Sequence, residues 1–225
     1  MIRNRKFALV FRTVAFLIAI SGLLDSFISL THSIDGALFM YYTVQSNILA
    51  CVMFGLLIVC TAKGLKKDGT LGSSSYLQRF EMVACVDLLL TLLVFWVLLT
   101  PTMFKMTDGG VYLWSYENLS VHLITPLLCL IDYILFSYPR KLKYIDVYLV
   151  LIFPISYLAF ATIAGFSGYV FSIHDGAAQR FPYFFMDYDL LGALTIVYIL
   201  ALIIIFLLIS HVFYYIDHKF RKIPD

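Results

Sequence analysis

The sequence predicts an all-α polytopic membrane protein, a single domain over residues 1–225 with six transmembrane helices and both termini on the cytoplasmic side. Three observations predict it. Of the 225 residues, 62% are hydrophobic and only 13% are charged, about half the roughly one quarter typical of soluble domains. Apolar residues gather into runs near the ~20 residues that a spanning helix needs, and the length admits six such runs with short connections and no soluble domain. Lysine and arginine fall between the runs, in alternation.

The spans are expected at about 7–30, 38–62, 80–103, 117–137, 146–167 and 190–216. Met1–Lys6 looks like the basic start of a secretory signal. The apolar stretch from Phe7 to Leu30 is too long for a signal core and has no small-x-small cleavage site, so it reads as a retained span. Residues 63–79 are polar and rich in Gly and Ser and are expected to form a flexible, solvated loop. Residues 104–116 carry the turn signal Asp108-Gly109-Gly110. Residues 168–189 are aromatic, with Gly176, Pro182 and the acids Asp187 and Asp189.

Orientation follows from the basic residues. One side holds Arg3, Arg5, Lys6, Arg12, Lys63, Lys66, Lys67, Arg79, Arg140, Lys141, Lys143, Lys219, Arg221 and Lys222; the other holds only Lys105 and Arg180. The first side is therefore expected to be cytoplasmic, and the compact chain points to a bacterial cell membrane. Tyr41, Tyr42, Tyr112, Trp114, Tyr116 and Tyr183 cluster on the opposite side, as an interfacial aromatic belt does. The net charge of +2 carries no nucleic-acid signal, because the basic residues are dispersed by topology. Cys51, Cys60, Cys85 and Cys129 lie inside apolar runs without metal-ligand or redox spacing, so they read as small buried side chains. No metal or other cofactor is expected.

Polar residues inside spans are costly and usually face the bundle interior. Thr43, Gln45, Ser46 and Asn47 lie near the outer start of the second span, and Asn118 and His122 near the outer start of the fourth. Thr43 and His122 each sit five residues inside the expected span edge, which at ~1.5 Å per residue is about 7–8 Å deep. Thr43, Ser46, Asn47 and Ala50 share a helix face; so do Asn118, His122 and Thr125, with Pro126 beside them. Asp25, with Ser21 one turn deeper, and Asp187 approach from the same side. Each has a plainer reading. Thr43 can bond its own helix or glue helices together; Asp187 and Asp189 can cap the last helix; Asp87 and Asp132, nearer the cytoplasmic half, suit structural ion pairs or hydrogen bonds. Asn118-Leu119-Ser120 matches a glycosylation sequon but lies too near the membrane to serve as one. His32 and His174 fall in outer loops, and His211 and His218 at the far end of the last span.

Three motifs carry a family resemblance: Tyr41-Tyr42-Thr43 followed by Ser46-Asn47; His122-x-x-x-Pro126 with Leu127-Leu128, Asp132 and Tyr138-Pro139-Arg140; and Pro182-Tyr183-Phe184-Phe185-Met186-Asp187. In their order and spacing the chain resembles the androgen-induced and androgen-dependent TFPI-regulating family of integral-membrane hydrolases, and related bacterial six-span proteins. The third motif departs from the family's usual tyrosine-proline-phenylalanine form. The resemblance implies hydrolysis of fatty acid esters of hydroxy fatty acids, or of similar lipid esters, with Thr43 as nucleophile and His122 as base. In that scheme Ser46, Asn47 or Asn118 would donate to the oxyanion, and Asp187 or Glu117 would orient the imidazole. The partners expected are a lipid substrate and the bilayer. The rival reading is a non-enzymatic membrane protein, either a proton-coupled small-solute transporter, with Asp25, His122, Asp87 and Asp132 as its polar path, or a lipid-binding subunit. A metal-dependent hydrolase ranks last, since His122 has no neighbouring ligand set.

Overall fold

The computed structural model describes residues 1–30, 37–101, 111–174 and 177–220. His32, Lys105, Asp108, Gly109, Gly110, Gly176, Arg221 and Lys222 lie outside the described residues, as do the side chains of Tyr112 and His174.

Six helices are long and apolar enough to cross a membrane: α1 Arg5–Leu30, α2 Tyr42–Asp68, α3 Gln78–Leu99, α4 Tyr116–Phe136, α5 Tyr144–Phe166 and α6 Leu194–Lys219. The chain is an all-α six-span integral membrane protein. A small hairpin, β1 Ser172–His174 with β2 Ala177–Gln179, adds one strand pairing inside the aromatic fifth connection, where the sequence predicts only a loop.

The helices alternate in direction, and hydrogen bonds between connections fix the two ends. At the basic end Ile2 N donates to Leu135 O (2.7 Å), Arg140 N donates to Asp217 O (3.2 Å), and Asn4 bridges to Leu71. At the aromatic end the Tyr157 hydroxyl donates to Met40 O (3.0 Å) and the Tyr41 hydroxyl to Phe171 O (3.3 Å).

The first helix starts at an Asn4 side-chain cap on Phe7 N. It carries a stripe of small buried residues, Ala8, Ala15 and Ala19, of the kind that lets membrane helices approach closely. Gly22 marks the crossing with α4, where an added Cβ would stand 2.1 Å from Ser120 Oγ. The central helix is α3, the most buried of the six, and α6 is the least.

The segment expected to be a flexible loop is built differently. α2 continues to Asp68, and what remains of 63–79 wraps around Arg5. The guanidinium donates to the carbonyls of Asp68 (3.2 Å), Gly69 (2.8 Å), Leu71 (2.6 Å) and Ser73 (3.3 Å). Gly72 sits at φ 135°, and a Cβ there would come within 2.3 Å of the guanidinium. The Gly and Ser residues that look flexible in the sequence are what allows the backbone to close on an arginine.

Candidate functional site

α2 and α4 bring the predicted residues to one level. Asn47, fully buried, donates from its single amide nitrogen to Thr43 O (2.8 Å) on its own helix and to Val121 O (3.1 Å) beside His122. The depth match read from spacing is therefore a physical tie between the two backbones.

The backbone of α4 is irregular around His122 for a reason the sequence contains. Pro126 lacks an N–H, so the carbonyl four residues earlier, that of His122, loses its helical donor. Residues Ser120–Ile124 relax into a π turn, with Thr125 N reaching back to Ser120 O. The indole N–H of Trp96 on α3 donates to His122 O instead (3.2 Å). α3 makes its own π turn at Val94–Leu99 directly opposite, a placement common at functional sites. His122 lies against Phe95 in that turn, ring centroids 3.7 Å apart and 21° from parallel. Its Nδ1 stands 3.2 Å from Asn118 O. A carbonyl only accepts, so Nδ1 carries the hydrogen and Nε2 is left with its lone pair.

Thr43 and Phe95 both line a cleft of about 90 Å³. The walls are Pro154, Ile155 and Leu158 of α5, Ile199, Leu202, Ile203 and Phe206 of α6, and Leu90, Val94 and Leu99 of α3. The polar side chains of the cleft are Tyr42 and Thr43 at the start of α2, Thr91 of α3, Tyr157 of α5 and Tyr183. Tyr183 lies beside Thr43 and the first turn of α2, whose opening N–H groups have no partner within the helix. Burial pushes the Tyr183 hydroxyl up to about 12. Its ring stacks on Phe185 (5.2 Å) and stands edge-on to Tyr41 (6.1 Å).

The cleft lies where α5 and α6 part. α5 begins as a tight 3-10 segment, Tyr144–Leu151, packed on α6. Beyond Ile152, with Pro154 in the first α-helical turn, it separates from α6. The gap between the two helices leaves Ile155 exposed on the lipid-facing side.

Several expectations change here. Thr43 and His122 make no direct hydrogen bond to each other among the described residues; Phe95 is what the cleft and the imidazole have in common. The amides expected to hold an oxyanion are occupied: Asn47 Nδ2 by two carbonyls and Asn118 Nδ2 by Leu113 O (2.9 Å). Ser46 shares its hydroxyl with Thr43 O and with Thr91 Oγ1, 3.0 Å each. Asp187 is a cap, but of a separate one-turn helix, Tyr188–Leu191, and not of the last span: its Oδ1 accepts from Asp189 N (2.9 Å) and Leu190 N (3.0 Å), while Asp189 pairs with Arg180. Asp25 is half-buried on α1, near Ser21, whose hydroxyl meets that of Tyr116 (2.6 Å). Glu117 is buried in the first turn of α4. Asp87 belongs to the outer group rather than the inner half: it accepts from the Tyr42 hydroxyl (3.0 Å), and its carbonyl accepts from Thr91 (3.1 Å). Asn118 is fully buried, so the sequon cannot be reached.

Sequence reasoning missed a second buried polar cluster at the basic end. Arg12, counted above as a topology charge, is fully buried and pairs with Asp132 (2.9 Å). Glu81, which drew no attention, is 1% exposed beside them. The inner half is therefore not plain scaffold. The clue was available in position: Arg12 and Glu81 each lie within the reach of a span rather than between spans. No group of three or more metal-ligating side chains occurs among the described residues.

Fold and site together define an integral membrane protein with an apolar cleft among its helices and Thr43 in the cleft wall. Compared with known proteins, the chain matches no protein-family model, no curated protein and no solved structure.

Proposed function

We propose that the chain is a membrane-embedded hydrolase of lipid esters, with Thr43 as nucleophile and His122 as base. The observation that carries this reading is the position of Thr43, in the wall of an apolar cleft that lies where α5 and α6 part. An acyl chain entering sideways from the bilayer would lie in the cleft and present its ester carbonyl to Thr43.

Thr43 Oγ1 attacks the carbonyl carbon while its proton passes to His122 Nε2, the nitrogen left free by the Asn118 contact. The imidazolium then protonates the departing alkoxide. Water hydrolyses the acyl-threonine and releases the fatty acid. Phe95 must swing off the imidazole for the first step, which makes the stacked arrangement a resting state. Tyr183, which lines the cleft beside Thr43, and the opening N–H groups of α2 take the place of Asn47 and Asn118 as oxyanion ligands in this reading.

Purified protein tested on a panel of lipid esters checks the reading. Thr43→Ala and His122→Ala are each expected to lower kcat by at least about 100-fold, with folding intact. Full hydrolysis by both variants would overturn the assignment.

A further inference from the structure

The buried charges of the basic half take no part in that reaction, and they do not balance. Arg12 on α1 forms a two-pronged pair with Asp132 on α4, Nε to Oδ1 at 2.9 Å and Nη2 to Oδ2 at 3.1 Å. Its Nη1 donates to Thr61 Oγ1 on α2 (2.7 Å) and to Ser74 O (2.9 Å). That guanidinium is satisfied, one positive charge against one negative.

Glu81 on α3 stands in the same cluster, in electrostatic contact with both partners. It is 1% exposed, and neither carboxyl oxygen has a partner in hydrogen-bond geometry, although the Leu77 N–H before α3 lies in its neighbourhood. The Ser74 hydroxyl beside the pair is also buried without one. The groups facing Glu81 are Arg12 from α1, Asp132 and the Cys129 thiol from α4, and Lys141 from the α4–α5 connection. Cys85 lies on its own helix and Thr61 of α2 is uncharged. α5 and α6 bring Asp146 and Asp217, which are taken up by Arg79 (2.9 Å) and by Gln78 (3.1 Å). An ionised carboxylate with no donor in hydrogen-bond geometry in such surroundings is among the most costly arrangements a protein can hold.

We propose that Glu81 is a proton-binding site: its carboxyl carries a proton in the packed bundle, so that one guanidinium and two carboxyl groups form a neutral cluster. Loss of that proton sets a second negative charge beside Asp132 and loosens α3 from α4, which makes the basic half responsive to proton activity.

Infrared difference spectroscopy on the full-length protein in lipid nanodiscs tests it, and neither this nor the melting readout depends on ester hydrolysis. At neutral pH a protonated-carboxyl C=O band is expected in the wild type, shifted in Glu81→Asp and lost in Glu81→Gln. Glu81→Gln, a neutral isostere, should melt within about 3 °C of the wild type. The proposal is overturned by a band that survives in Glu81→Gln, by one that disappears in Asp132→Asn instead, or by no band at all. It is equally overturned if Glu81→Gln fails to fold, because a neutral side chain is what the site is expected to hold.

Discussion

Tyr183 joins three parts of the candidate site through one side chain. It lies beside Thr43 and the first turn of α2 in the wall of the cleft, and its ring packs on Phe185 and Tyr41. Burial raises its ionisation from the ordinary 10 to about 12. Between those two values the unfolded chain gives up the proton while the folded one keeps it. Native stability contributed at this position is therefore complete below pH 10 and falls as pH rises toward 12. Tyr183→Phe is expected to remove that step from a plot of melting temperature against pH, and to lower kcat about 10-fold or more by withdrawing a donor from the oxyanion. A variant whose alkaline melting profile matches the wild type would show that the hydroxyl ionises freely.

At the scale of elements, helices are joined across the basic half by Arg12, which binds α1 to α4 through Asp132, to α2 through Thr61 and to the loop before α3 through Ser74. Removing one partner of a buried pair leaves the other uncompensated. Arg12→Ala is expected to destabilise the bundle by about 3–5 kcal/mol, read as a large drop in melting temperature in detergent. A change within the scatter of surface variants would mean that the pair contributes nothing. The spans themselves were legible in the sequence, because runs of apolar residues of spanning length admit one solution in lipid. The irregular parts were less so. The pairing of Pro126 with Trp96 needs the partner helix before it can be seen, and the closing of residues 69–77 on Arg5 depends on a contact more than 60 positions away in sequence. The parting of α5 from α6 falls where the 3-10 start gives way to the α-helical stretch that holds Pro154, and composition alone does not locate it.

For the whole molecule, the two halves differ in kind. The aromatic half gathers hydroxyls along an apolar cleft, with the His122 imidazole stacked on Phe95 of its wall, and the basic half buries a compact ionic cluster. The first was readable from Thr43, Ser46, Asn47, Asn118 and His122, since polar groups deep in apolar runs stand out. The second was masked because Arg12 and Glu81 lie near span ends, where charges ordinarily report orientation. In the proposed reading, reaction chemistry belongs to one membrane surface, and stability and proton response belong to the other. The central claim is that Thr43 is the nucleophile, and the most direct measurement is covalent labelling of the protein in lipid with a fluorophosphonate probe, followed by peptide mass mapping. The account predicts one adduct, on Thr43, and loss of labelling in His122→Ala. Ester hydrolysis with the adduct on another residue, or with no adduct at all, would contradict it.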